Sequence, residues 1–167
     1  MLAAIAGADP DDPTALQAPV PDYLAGDVDR LDGLRIGLDE RFASHEVEAP
    51  VSDALQAMLR TLVGLGARVV PVTMPPVDAV VGDWVPLCGV EAAVAHADTF
   101  PSRRAEYGPM LAGVLDLGVA VGGTDLQRMW LRRAEFTGRM NALMTGVDLL
   151  IAPAMPFAAP SVQRIAH

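Results

Sequence analysis

The sequence predicts an α/β fold, and three stretches of its 167 residues carry that prediction. The apolar run from Leu34 to Leu38 is typical of a short buried strand. Apolar residues then recur at helical spacing between Pro50 and Leu65, which indicates a helix with one apolar face. Arg68 to Met74 follows at once as a second strand. Strand, helix and strand joined by short turns form a βαβ unit, which implies parallel pairing and a right-handed crossover.

The whole chain divides into four segments. Residues 1–30 form an extended N-terminal segment, because closely spaced Pro and Asp residues oppose regular structure. Residues 31–76 form the βαβ unit, residues 77–146 a helical region, and residues 147–167 a further strand and a Pro-rich end. The last two segments contain predicted helices at Val77–Ala97, Met110–Val121 and Thr124–Met144, and a predicted strand at Val147–Ala152.

Pro71 lies inside the second predicted strand. Proline has no backbone N–H to donate to a neighbouring strand, so within sheets it is confined largely to edge strands, strand starts and bulges. We therefore expect this strand to lie at an edge of the sheet.

The charge balance argues against two classes of partner. The formal net charge is -9, and the acidic residues are spread along the chain. Nucleic acids and anionic membranes both attract local clusters of Lys and Arg, so neither is an expected partner. No uncharged apolar run reaches the roughly 18 residues that a membrane span requires. These features favour a cytoplasmic setting.

The sequence contains no catalytic or metal-binding constellation that we recognise. All twelve basic residues are Arg, which excludes a lysine base within this chain. Cys88 lies in an apolar stretch without an adjacent cation, which favours a buried structural thiol over a nucleophile. The three histidines are far apart, and no serine lies in a nucleophile elbow. We therefore predict no catalytic residue, no metal site and no cofactor.

Six stretches, taken in chain order, resemble the amidase signature family of serine amidases. They read AIAGADPDDPTALQAPVPDYLAG, LDGLRIGLDERF, LRTLVGLGARVVPVTMP, EAAVAHADTFPSRRAEYGP, DLQRMWLRRAEF and VDLLIAPAMPFAAPS. The last is similar to the family's V-D-x-L-L-x-P-x-x-P-x-A-P strand. The six cover nearly the whole chain, and their shared order makes the resemblance specific.

The resemblance implies a partial amidase-signature fold, with the βαβ unit, the helices and the further strand belonging to a mixed sheet. The family hydrolyses carboxylic amide C–N bonds with a serine nucleophile, a second serine in a cis peptide and a lysine base. Those residues and the oxyanion segment precede the region matched here and have no counterpart in this chain. The resemblance therefore implies part of an amidase that is inactive alone.

In the family this region helps to wall the acyl-binding pocket. The resemblance places Trp84, Met110 and Leu115 in that wall, although the same residues also suit a structural core. Glutamine-using amidotransferases that resemble this fold carry an Arg near the latter region, whereas this chain reads MLAGVLDLG there. A small amide with an uncharged acyl group is the implied substrate of the parent enzyme.

Two alternatives remain open. A separate chain supplies the serines and the lysine, so that this chain is half of an enzyme, or the chain is a non-catalytic binding or scaffold domain. An exposed apolar face favours assembly with a catalytic portion or self-association, whereas a polar, well-covered surface favours the scaffold.

Overall fold

The computed structural model describes residues 1–25 and 29–161. Three short strands and six helices succeed one another along these residues, together with a single 3₁₀ turn at Arg104–Glu106. The elements are α1 (Leu2–Ile5), β1 (Arg35–Leu38), α2 (Glu40–Ser44), α3 (Ala49–Gly64), β2 (Arg68–Pro71), α4 (Asp78–Ala95), α5 (Pro109–Ala120), α6 (Gly123–Met144) and β3 (Leu149–Ile151).

The α/β fold class is confirmed. The strands form one sheet in the order β2-β1-β3, and both strand pairs are parallel. The unit β1-α3-β2 is the predicted βαβ unit, and β2 lies at an edge of the sheet formed by the described residues, as Pro71 predicts. Both strand pairs of these residues being parallel, the mixed character of a larger sheet stays a prediction.

The structure differs from the sequence-based expectations in its local detail. The sequence did not predict α2, which begins at Asp39 because the Asp39 carboxylate accepts the Phe42 N–H at 3.1 Å and caps the helix. The second and third strands are shorter than predicted. Of the predicted segments, residues 26–28 and 162–167 lie outside the described residues.

The first core lies between α3 and one face of the sheet. Its buried members are Leu38, Ala43, Leu55 and Leu59, with Val69 and Ile151 packed against them. The segment after β3 is tied to the start of α3, where Glu48 N–H donates to the Pro156 carbonyl at 2.8 Å. These contacts bring the chain after all three strands to one side of the sheet.

The second core is formed around α4 and α5. Phe100, Ala112 and Leu115 are buried there, and Tyr107 packs against them. The two helices touch backbone to backbone at Gly89 and Gly118, where a Cβ added to Gly118 would lie 1.9 Å from the Gly89 carbonyl oxygen. Only glycine permits so close an approach, since any side chain would overlap the facing helix.

The 22-residue helix α6 has no buried residue, although its sequence is amphipathic. A bidentate ion pair joins it to α4, in which Arg132 donates to both carboxylate oxygens of Asp83 at 2.6 and 2.7 Å. Asp83 is itself 8% exposed, and Arg132 lowers its pKa by hydrogen bonding to the carboxylate. The helix is thus anchored at one polar contact while much of its apolar face stays uncovered.

A second bidentate ion pair ties β3 to β1. The Asp148 carboxylate accepts the Arg35 guanidinium and the Arg35 backbone N–H, both at 2.8 Å. These hydrogen bonds lower the pKa of Asp148 from its ordinary 3.8 to about 2. The ionised carboxylate therefore stabilises the folded chain above about pH 4, and this stabilisation is lost as the pH falls through about 2.

This sign gives a pH-dependent prediction for Asp148→Asn. We expect the variant to unfold more easily than the native chain at pH 6, and the difference to vanish as the pH approaches 2. Urea unfolding followed by circular dichroism at several pH values measures the difference. The control is Asp53→Asn, which changes an exposed carboxylate on α3. A difference between Asp148→Asn and the native chain that does not change between pH 6 and pH 2 would contradict the prediction.

Candidate functional site

An open cleft of about 970 Å³ lies where the three parallel strands end. Its lining includes Asp39 directly after β1, Thr73 after β2 and Pro153 after β3. In open α/β sheets, ligands bind in the crevice outside the carboxyl ends of the strands. The fold therefore places a candidate ligand site at this edge.

Asp39 holds the base of the cleft together. One of its carboxylate oxygens caps α2, and the other accepts the Met74 N–H at 2.7 Å, which joins the chain after β1 to the chain after β2. The hydrogen bond from Met74 N–H, followed by that from Phe42, lowers the pKa of Asp39. Both oxygens are thus engaged in holding the backbone, and Asp39 has a structural role here.

The other polar residues that border the cleft carry charge of both signs. They are Arg41, His45, Glu46 and Asp78. A guanidinium, an imidazole and carboxylates at one opening suit a polar group of a ligand. Among residues 1–25 and 29–161, no cluster of His, Cys, Asp and Glu has the arrangement of a metal site.

Sequence analysis missed this cleft. The detectable signal was that two predicted parallel strands are followed directly by Asp39 and by Thr73 and Met74. Parallel strands end at the same side of a sheet, so the residues that follow them meet there. The strand order, which only the fold provides, was needed to see that Pro153 joins them.

The structure does not gather the three predicted wall residues into one surface. Trp84 on α4 is 66% exposed, and Met110 at the start of α5 is 86% exposed, whereas Leu115 is 0% exposed and packs in the second core. Trp84 borders a smaller cleft of about 280 Å³ between α4 and α6, together with Met129 and Arg133. A role for the three residues in substrate binding stays a prediction.

The prediction of a buried Cys88 was wrong. Its side chain is exposed on α4, four residues after Trp84. The surrounding sequence is apolar, but α4 is apolar around much of its circumference and only part of that surface is covered. An apolar neighbourhood in sequence therefore did not indicate burial.

A hydrogen-bonded group between α4 and α5 also escaped the sequence analysis. The Tyr107 hydroxyl contacts the Thr99 hydroxyl and lies 3.2 Å from His96 Nδ1. The Tyr107 ring packs edge-on against His96 and Phe100. These contacts fix the loop that joins the two helices and set where α5 begins.

The serines are placed as the sequence analysis expects of non-catalytic residues. Ser44 Oγ donates to the Glu40 carbonyl at 2.6 Å, and Ser102 Oγ lies 3.4 Å from the Thr99 carbonyl. Both hydroxyls are thus engaged with the backbone of their own turn. Neither is held by a lysine, since the sequence contains none.

With this arrangement established, comparison with known proteins identifies the family. The family model described as Amidase matches residues 1–167. The chain belongs to the amidase family. The order of motifs that resembles the amidase signature is thereby confirmed.

Relatives of this amidase-family chain are considerably longer. The putative amidase AmiD of Mycobacterium tuberculosis is 32% identical over 165 residues, which are 99% of this chain and 34% of AmiD. An amidase of Pseudomonas putida is 30% identical over 159 residues, which are 95% of this chain and 34% of that amidase. One component of the glutamyl-tRNA(Gln) amidotransferase of Geobacter sulfurreducens is 39% identical over 93 residues, or 56% of this chain and 19% of that component. The chain thus spans about a third of the length of AmiD.

The solved structures agree on the fold. A bacterial aryl acylamidase of the amidase signature family superposes with a TM-score of 0.72 at 20% identity, covering 93% of this chain and 34% of the acylamidase. At that identity the likeness supports the fold alone. It confirms that the α/β arrangement is part of an amidase-signature fold.

The helices were also compared with the dimensions of a bilayer. In the described part of the chain, no single helix is both long and apolar enough to cross a membrane. By length and composition, α5 and α6 meet the requirement only when taken together, and they are bent by 99° relative to each other.

Proposed function

We propose that this chain is the non-catalytic third of an amidase that hydrolyses carboxylic amide C–N bonds, and that it is inactive alone. The observation that carries the proposal is a family match over residues 1–167 in a sequence without lysine. The Ser–Ser–Lys mechanism implied by the resemblance requires a lysine to take the proton of the attacking serine through the bridging serine. That lysine has to come from outside these residues.

The exposed surface favours assembly with a catalytic portion over a self-contained scaffold. Large apolar side chains are exposed on α4, α5 and α6, among them Val85, Val94, Leu117, Val119 and Leu131. Soluble monomers rarely expose contiguous apolar patches larger than a few hundred Å². We infer that the catalytic two-thirds of the enzyme covers part of this surface, whether it belongs to the same polypeptide or to a partner chain, in a cytoplasmic setting.

The proposed substrate is a small amide with an uncharged acyl group. Asp116 is the only charged residue of α5, and Arg104 pairs with its carboxylate at 2.5 Å. This helix therefore presents no cation to a substrate carboxylate. In the proposed enzyme Trp84 and Met110 contribute to the pocket wall, and Leu115 supports that wall from beneath.

The test is amide hydrolysis by the purified chain. A panel of aryl and aliphatic amides, with and without phenylmethylsulfonyl fluoride, should give no turnover above background, because no activated serine is present. Co-expression with the remainder of AmiD as a separate chain should restore turnover that the reagent abolishes. Turnover by the isolated chain would refute the proposed inactivity. Stable assembly without turnover would instead favour the scaffold role.

A further inference from the structure

The two outer edges of the sheet differ in their capacity to bind another strand. Backbone groups of alternate residues point to opposite sides of a strand, so the bonds to β1 show which residues face outward. On β2 these bonds run from Arg68 N–H to the Leu34 carbonyl at 2.8 Å and from Val72 N–H to the Leu38 carbonyl at 3.0 Å. The outward-facing residues of β2 are therefore Val69 and Pro71.

On β3 the same reasoning selects two residues that carry an N–H group. Asp148 N–H donates to the Arg35 carbonyl at 2.9 Å, and Leu150 is in register with Gly37. Leu149 and Ile151 therefore direct both N–H and carbonyl away from β1. Within residues 1–25 and 29–161, no strand pairs with this side of β3.

Pro71 makes the β2 edge a poor template. It removes one of the two donors that this edge would offer, whereas the β3 edge keeps both of its donors. The side chain of Leu149 is also 52% exposed, which leaves an apolar contact for a neighbouring strand. The sheet is thus closed to extension at β2 and open at β3.

We propose that the outer edge of β3 binds a β-strand from the catalytic two-thirds of an amidase, and that the β2 edge remains the end of the sheet. This inference rests on the proposed function. Parallel strands are stable when they are paired and covered on both faces, and a sheet of three short strands is smaller than the usual five or six. The strand would gain hydrogen bonds to Leu149 and Ile151 and cover the Leu149 side chain.

A second copy of the chain is a less suitable occupant of this edge. Each copy carries a formal net charge of -9, so two copies repel each other over their whole surface. The length of AmiD, of which this chain matches 34%, favours a strand from the missing part of an amidase.

Hydrogen exchange in a chimera tests the proposal. The chimera is full-length Mycobacterium tuberculosis AmiD in which the matched region is replaced by residues 1–167. Exchange at the amides of Leu149 and Ile151 should slow on the order of 100-fold relative to the isolated chain, because a partner strand now accepts these donors. Exchange at Val69 should change little, since its edge gains no partner.

Two matched substitutions separate edge pairing from general destabilisation. Leu149→Pro removes an outward donor from β3, and Val69→Pro makes the same change on β2. Leu149→Pro should lower the melting temperature of the chimera by more than that of the isolated chain, whereas Val69→Pro should lower both equally. Leu149→Lys, which keeps the backbone donor but adds an edge charge, should also weaken the chimera selectively.

The outcomes distinguish this inference from the proposed function. A folded chimera with protected β3 amides but no turnover supports the edge assignment and refutes the proposed function. An active chimera in which β3 stays unprotected, or in which Val69 becomes protected, overturns the edge assignment alone. A chimera that does not fold, or β3 protection in a dimer of the isolated chain, also overturns it.

Discussion

Replacing Gly118 with alanine should destabilise the chain by about 3 kcal/mol or more, since overpacking of this kind forces backbone shifts. The added methyl group would lie 1.9 Å from the Gly89 carbonyl oxygen and 2.7 Å from the Val90 nitrogen. These are backbone atoms of the facing helix, so no side-chain rotation relieves the overlap. The helices α4 and α5 would have to separate, which would also loosen the packing around Leu115.

Gly113→Ala is the matched control on the same helix. No atom lies within 4 Å of a Cβ added there. Alanine favours a helix interior by about 0.8–1.0 kcal/mol over glycine, so this variant should be slightly more stable than the native chain. Thermal unfolding followed by circular dichroism should separate the two variants by about 10 °C. Equal melting temperatures for the two variants would mean that α4 and α5 do not cross at Gly89 and Gly118.

Replacing Leu115 with alanine should cost about 2–5 kcal/mol, because the side chain is fully enclosed and its removal leaves a cavity. The loss should appear in the isolated chain, since the contacts with Phe100 and Ala112 lie within it. Urea unfolding measures the change in the free energy of unfolding. The control, Leu117→Ala, removes the same atoms from a side chain that is exposed on the same helix, and should cost much less.

The Leu115 experiment also bears on the proposed pocket wall. In an active assembly or chimera, a supporting residue should affect stability more than the selectivity among acyl groups. Trp84→Ala and Met110→Ala should do the reverse, because these exposed side chains contribute little to the folding of the isolated chain. A loss of stability from Met110→Ala as large as that from Leu115→Ala would contradict this division.

Local patterns in the sequence were sufficient for the fold class and for the βαβ unit. The helical spacing of apolar residues in α3 and the short apolar runs of β1 and β2 each reflect contacts made by neighbouring elements. Pro71 indicated an edge strand because its missing donor acts at its own position. The absence of lysine, and the order of the six motifs, likewise need no coordinates.

Only the tertiary structure determined which surfaces are covered. Cys88 and Leu115 both lie in apolar helices, yet Cys88 is exposed and Leu115 is enclosed. The sequence of α4 has no single apolar face, so its periodicity does not indicate which side packs against α5. That side is set by Gly89 and Gly118, two residues far apart in sequence whose backbones must meet.

The candidate cleft and the open edge have the same physical origin. Asp39 became a clasp between two strands only when β2 was paired beside β1, which brings the Met74 N–H to its carboxylate. The outward donors of β3 were defined only when the register of Asp148 with Arg35 was known. The sequence by itself determined the elements and their family order, whereas the pairing of distant residues decided which groups meet, since hydrogen bonds and close packing depend on positions in space.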